Sequence, residues 1–200
     1  MKTHIVWGAW LLALQGAAIV AAQAPPQRSG EQLQAIAAIR AAGGQVLEIA
    51  QNDPRLDVAF HLASEEITDE DLQPLRHLSD VVHLNLRGTQ ITDDGLQYIA
   101  HLDQLARLHL ERTAIGDQGL RHLAKLTSLT YLNLYGTKVT DAGLKHLEGL
   151  KNLRRLYLWQ TEVSDAGVAA LKKALPELEI IRAVDLRPAD TAAPSGQASP

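Results

Sequence analysis

Cysteine is absent from this 200-residue chain. That removes a disulfide framework, a thiol nucleophile, a thiolate metal site and the lipidated cysteine of a lipoprotein. A dominant charge is also missing: 19 Lys and Arg face 23 Asp and Glu, for a net charge of -4. Such a balance gives no general attraction for nucleic acid or an anionic membrane surface. The loops that carry Asp93, Asp117, Asp141 and Asp165 lack clustered D-x-D ligands, so the shell of six to eight oxygens that calcium requires is not expected there. Aromatic residues make up only 4% of the chain, which makes the position of each one informative.

One long apolar run is present, from Ile5 to Ala22, interrupted by Gly8, Gln15 and Gly16. Lys2 precedes it and the small residues Ala21, Ala22 and Ala24 close it, the pattern of an export signal. The polar interruptions make a weak membrane helix, so a cleaved signal is expected over 1–22 rather than an anchor. Cleavage after Ala22 avoids placing Pro25 directly beyond the scissile bond. The mature protein is then exported, periplasmic or secreted, with no stable membrane insertion.

Four blocks repeat one template at a 24-residue interval: HLNLRGTQITDDGL from His83, RLHLERTAIGDQGL from Arg107, YLNLYGTKVTDAGL from Tyr131 and RLYLWQTEVSDAGV from Arg155. A fixed period of this length marks a solenoid, whose units cannot bury their apolar faces alone. The pairs Leu84/Leu86, Leu108/Leu110, Leu132/Leu134 and Leu156/Leu158 alternate with polar or aromatic residues, as in strands with one buried face. The runs Leu96, Ile99, Leu102, Leu105 and Leu120, Leu123, Leu126, Leu129 have the spacing of a short helix passing into a turn. Thr89, Thr113, Thr137 and Thr161 are expected to satisfy backbone groups at each corner. Asp93, Asp117, Asp141 and Asp165 are expected to cap the helices. Gly95, Gly119, Gly143 and Gly167 are expected to permit close packing on the adjacent coil.

A degenerate copy precedes these four, with Phe60, Leu62, Ile67, Asp69 and Leu72 each 24 residues ahead of Leu84, Leu86, Ile91, Asp93 and Leu96. In it Glu65 replaces threonine and Asp71 replaces glycine. Upstream, a capping helix is expected over Glu31 to Ala42 with Leu33, Ile36, Ala37 and Ile39 or Arg40 at near-helical spacing, ended by Gly43-Gly44. A strand at Gln45 to Ala50, a turn at Asn52-Asp53-Pro54 and a second strand from Asp57 to Leu62 complete the cap. After Leu171 the register slips by about one residue into a longer helix and a closing strand. The expected division is a flexible leader over 23–30, a cap over 31–57, the solenoid over 58–183 and a disordered tail over 184–200, poor in large apolar residues from Arg187.

The template L-x-x-L-x-x-L-x-L-x-x-T-x-[IV]-x-D-x-G-L resembles the leucine-rich repeat family, in particular its short α/β repeats common in exported bacterial proteins. It departs from the commonest form by having Thr where Asn or Cys often stands. The resemblance implies an α/β, right-handed solenoid with a parallel sheet on the concave side and short helices on the convex side. It also implies binding of a protein or other ligand on the concave face.

The residues alternating with the inward leucines form three columns on that face: His83, Arg107, Tyr131, Arg155; Asn85, His109, Asn133, Tyr157; and Arg87, Glu111, Tyr135, Trp159. Tyr131, Tyr135, Arg155, Tyr157 and Trp159 are the candidate binding residues, because Tyr, Trp and Arg dominate binding hot spots. Tyr135 and Trp159 are expected to adjoin, with Arg155 beside them, unless these aromatics serve the C-terminal cap. The face measures only a few hundred Å² at about 4.8 Å per strand, so loop residues such as Arg112 and Gln160 would have to help. His77 with His101 and His122 with His146 stand one repeat apart, yet no third ligand recurs, so no metal is expected. No cofactor is expected either. His109 near Glu111 lacks an accompanying nucleophile or enclosed pocket, which disfavours catalysis. The expectation is a monomeric, non-enzymatic module that binds a protein or peptide. The alternatives are a glycan stacked on the Tyr/Trp rings and a structural envelope factor without a discrete ligand.

Overall fold

The computed structural model describes residues 28–51 and 53–182. The expected signal over 1–22, the leader up to residue 27 and the tail over 184–200 lie outside the described residues. Seven strands form one sheet in chain order: β1 (Gln45–Ala50), β2 (Asp53–Ala59), β3 (Val81–Asn85), β4 (Arg107–His109), β5 (Tyr131–Asn133), β6 (Arg155–Tyr157) and β7 (Glu179–Ile181). β1 and β2 pair antiparallel and every later pair is parallel. Parallel neighbours need a return path, and short helical segments supply it. These are 3-10 helices at Asp69–His77 and Asp93–Ile99, then α2 (Asp117–Leu123), α3 (Asp141–Leu144) running on into a 3-10 turn, and α4 (Asp165–Ala174). The chain is an α/β solenoid with a mostly parallel sheet. Its apolar spacing of three suits a helix of three residues per turn, which explains why the 3-10 form recurs.

The core is one continuous leucine stack. Leu84, Leu108, Leu132 and Leu156 are directly opposed across adjacent strands and fully buried. Leu96, Ile99, Leu120, Leu123 and Leu147 close it from the helical side, all at 0% exposure. Each fully buried leucine side chain contributes roughly 1.5–3 kcal/mol, and stacking is what lets so thin a unit reach that burial.

At the N-terminal end α1 (Gly30–Ala41) packs on the first repeat through Ala35, Ile36 and Ile39. Two residues expected on its inner face are not there: Leu33 is 56% exposed and Ala37 is exposed. The face runs 35, 36, 39 instead, so the helix is rotated relative to the expected stripe. Ser29 and Gln32 form a capping box, and Gly43 takes φ +83 beyond the helix end. The leader expected over 23–30 therefore stops short of its last residues. Arg28 bonds Asp80 at 2.5 Å and the Pro54 carbonyl. The turn expected at Asn52-Asp53-Pro54 is corrected as well, since Asp53 and Pro54 already belong to β2. β2 also straddles the expected boundary between 57 and 58, pairing with β1 on one side and β3 on the other.

The degenerate repeat carries a second correction. Val58, not Phe60, opposes Leu84, and the Phe60 N–H bonds Asn85 as the Leu86 N–H bonds His109. Val58 and Phe60 thus stand for Leu84 and Leu86, at an offset of 26 residues. Leu62 falls in the corner and is 64% exposed. The 24-residue offset resumes by Ile67, whose carbonyl accepts from Gln90 N–H. At the other end the slip is confined to Leu175 and Leu178, because Ile180 again opposes Leu156.

Candidate functional site

The corners that hold the strands in register are built from four residues acting across the repeat boundary. Thr89, Thr113, Thr137 and Thr161 each donate a hydroxyl to the carbonyl three residues earlier at 2.7 Å. The aspartates do not cap their own helices, as expected from sequence; they reach the next repeat. Asp69 accepts from the Thr92 N–H at 2.8 Å and hydroxyl at 2.5 Å. Asp117 does the same with Thr140 and Asp141 with Ser164. Asp93 has only the Gly116 N–H, at 2.6 Å. Thr92, Thr140 and Ser164 in turn cap the helices. The Ser164 hydroxyl and N–H hold the Asp141 carboxyl below its usual value, the hydroxyl contributing most.

Glycine follows from this clamp. A Cβ on Gly95, Gly119, Gly143 or Gly167 would run into the carboxylate of Asp69, Asp93, Asp117 or Asp141 respectively. The first repeat has no aspartate arriving from before it within the array, and there Asp71 can stand in place of glycine, accepting from Thr68 N–H and hydroxyl. At the last repeat Asp165 takes Arg182 as its partner.

On this scaffold the three polar columns lie side by side. Tyr131 and Tyr157 have ring centroids 5.4 Å apart, and Tyr135 stacks on Trp159 at 5.0 Å with 16° between planes. Trp159 is 40% exposed. Asn85 and Asn133 spend their amide oxygens on the backbone N–H groups of Arg87 and Tyr135, closing the strand ends. Burial raises the Tyr131 phenol above its usual value.

Arg155 departs from expectation: it pairs with Glu179 at 3.4 Å on the edge of the face, at the far end of β6 from Trp159. Two other arginines adjoin the rings instead. Arg107 lies over Tyr131, 5.0 Å from its centroid. Arg112 lies over Tyr135 at 5.3 Å and donates to its hydroxyl at 3.2 Å. The signal for both was the neighbouring repeat, 24 and 23 residues ahead of the tyrosines they cover.

His109 Nδ1 lies 2.9 Å from Glu111 Oε1, which also accepts from Asn133 at 2.7 Å; the second Glu111 oxygen is buried without a partner. His83 pairs with Asp57 at 3.1 Å. No serine, threonine or cysteine occurs in the three columns to serve such a base. Among the described residues no group of three His, Cys, Asp or Glu is placed to hold a metal. His77 and His101 point to different partners, Glu31 at 3.9 Å and the Leu78 carbonyl at 2.9 Å. A groove of about 450 Å³ lies away from the sheet between α1 and the first 3-10 helix, lined by Glu31, Gln34, Ala38, Pro74, Arg76 and His77 among others.

No curated protein matches the chain significantly by sequence. Among solved structures it is similar to internalin C2 of Listeria monocytogenes, at 25% identity and TM-score 0.44 over 64% of each chain. A leucine-rich repeat protein of Leptospira interrogans is similar at 22% identity and TM-score 0.43, over 61% of this chain and 36% of that one. The leucine-rich repeat ectodomain of the receptor kinase SOBIR1 of Arabidopsis thaliana is similar at 16% identity and TM-score 0.48, over 77% and 91%. The chain spans less than two thirds of the length of the first two. The leucine-rich repeat family model matches residues 77–100 and 125–147. Those segments are two units of an array whose other units share the same leucine stack and Asp–Gly corner, so the chain is similar to the leucine-rich repeat family there and carries its leucine-rich repeats.

Proposed function

We propose that this protein is an exported, monomeric binding module that receives a peptide or a segment of another protein on its concave sheet face, at Tyr131, Tyr135, Tyr157 and Trp159 with Arg155 at the rim. The observation carrying this reading is the stack of the exposed Trp159 on the half-buried Tyr135, at 5.0 Å, on a face whose inward leucines are fully buried. Stacked rings held over a rigid sheet lose little conformational freedom on binding and present flat apolar area, the character of hot spots. The small face suits an extended segment better than a large globular partner. A glycan stacking on the same rings is the alternative.

Replacing Tyr135 and Trp159 together by Ala separates these roles. Binding lost with unchanged melting supports a recognition surface. Lowered stability instead assigns the aromatics to the packing of the C-terminal end, and binding that persists sinks the reading.

A further inference from the structure

The carboxylates of the concave face each have a partner, Glu111 through one oxygen only. Asp57 meets His83, Glu111 meets His109 and Asn133, and Glu179 meets Arg155. Three guanidinium groups on the same face are not neutralised. Among the described residues, Arg87, Arg107 and Arg112 are exposed and none has a carboxylate within ion-pair distance. Arg107 and Arg112 rest on the faces of Tyr131 and Tyr135, which orients the guanidinium groups without cancelling their charge.

Arg112 shows in addition that this arrangement is held against a local conformational preference. Its φ is +55, in the left-handed region, as is that of Gln160 at +54 two repeats on, while the corners of the other two repeats are Gly88 at +72 and Gly136 at +69. A glycine would adopt that corner without strain, as its neighbours do. At Arg112 the side chain so placed is a fork of N–H donors beside an aromatic stack, and what such a fork offers is an anion site. The neighbouring glycine also leaves room, since the position of a Cβ on Gly136 lies 3.4 Å from Arg112 Cγ.

Accepting the concave-face reading above, we infer that the segment bound there is an acidic peptide, its Asp or Glu carboxylates held by Arg87, Arg107 and Arg112 and an adjoining apolar or aromatic side chain seated on Tyr135 and Trp159. Along the third column the order is Arg87, Glu111, Tyr135, Trp159, so a strand-crossing segment meets the cationic side first and the rings after it. The chain as a whole carries a net charge of -4. Attraction is therefore local to this face, and salt screens it.

The test is selection of a random peptide display library on the immobilised mature protein, with resynthesised peptides measured by fluorescence anisotropy at low and high salt. The expected result is enrichment of Asp and Glu, with affinity lost about tenfold or more in the Arg87→Gln/Arg107→Gln/Arg112→Gln variant and at high salt. Arg112→Gly is the second variant: it weakens binding while melting is unchanged or raised, which a merely structural arginine would not do. Neutral or basic peptides whose binding requires Tyr135 and Trp159 overturn the acidic ligand and leave the concave-face reading standing. Peptides indifferent to both the arginine and the aromatic substitutions overturn both. Failure of every peptide overturns both as well, and Arg-dependent retention of polygalacturonate in that case assigns the face to an acidic glycan.

Discussion

Gly116→Ser restores a hydrogen bond that one corner of the solenoid lacks. At the corresponding position Thr92, Thr140 and Ser164 give the preceding aspartate both an N–H and a hydroxyl, whereas Gly116 gives Asp93 only its N–H, at 2.6 Å. Room exists for the side chain. Gly116 has the extended backbone of the other caps, φ -126 and ψ -159, and the atom nearest an added Cβ is Asp93 Oδ2 at 3.5 Å. A hydrogen bond to a charged, half-exposed carboxylate is worth about 0.5–1.5 kcal/mol here, below the range for buried ones. Removing a glycine from the unfolded chain adds about 0.4–1 kcal/mol, and a hydroxyl N-cap a few tenths over glycine. The expected gain is about 1–2 kcal/mol, raising Tm by roughly 2–8 °C for a chain of this size. Urea unfolding followed by circular dichroism measures it, and the Asp93→Ala background isolates the carboxylate's share. A neutral or destabilising serine refutes the clamp. So does a gain of equal size without Asp93, because the entropy of losing glycine would then account for all of it.

Gly143→Ala tests the same corner from the other side. Alanine is the better helix former by about 1 kcal/mol, yet its Cβ would collide with the Asp117 carboxylate and approach Leu120 Cδ1 at 3.1 Å. A net loss of about 1–3 kcal/mol is expected in chemical denaturation, and a stabilised variant would show that the carboxylate yields freely. For pH, Asp141 is held below its ordinary value of 3.8 by Ser164. Its folded pKa is thus below its unfolded one, so this stabilisation is complete above the unfolded value and is lost as pH falls through the folded one. Ser164→Ala should accordingly cost more at neutral pH than in strong acid, leaving there only the cap bond from Gly167 N–H; a gap that stays constant across urea titrations from pH 7 to 2 would contradict this.

The leucine ladder was legible because burial repeats with the period of the chain: Leu84, Leu108, Leu132 and Leu156 are opposed as their 24-residue spacing requires. The threonine corners were legible for the same reason, each bond closing within three residues. The degenerate repeat was misread because two added residues in its corner leave the helical positions in phase while shifting the strand, and local periodicity cannot register a change in loop length. Only the exposure of Leu62 against the burial of Val58 reveals it.

The aspartate clamp and the Arg112–Tyr135 contact were hidden by a different feature, the diagonal. Columns taken at 24 residues align equivalent side chains, but Asp69 meets Thr92, Asp117 meets Thr140 and Arg112 meets Tyr135, each 23 residues apart. A side chain in a solenoid leans toward the next coil, so its partner is the residue preceding its own equivalent. At that offset the sequence alone pairs Asp with Thr or Ser and Arg112 with Tyr135. The site is asymmetric because Arg155 has no tyrosine to cover in β7, where Glu179 opposes it and takes its charge; Arg107 and Arg112, both two coils earlier than the exposed Trp159, keep theirs. Cationic and aromatic surface therefore meet in the middle of the array, between β4 and β6, rather than at its C-terminal end.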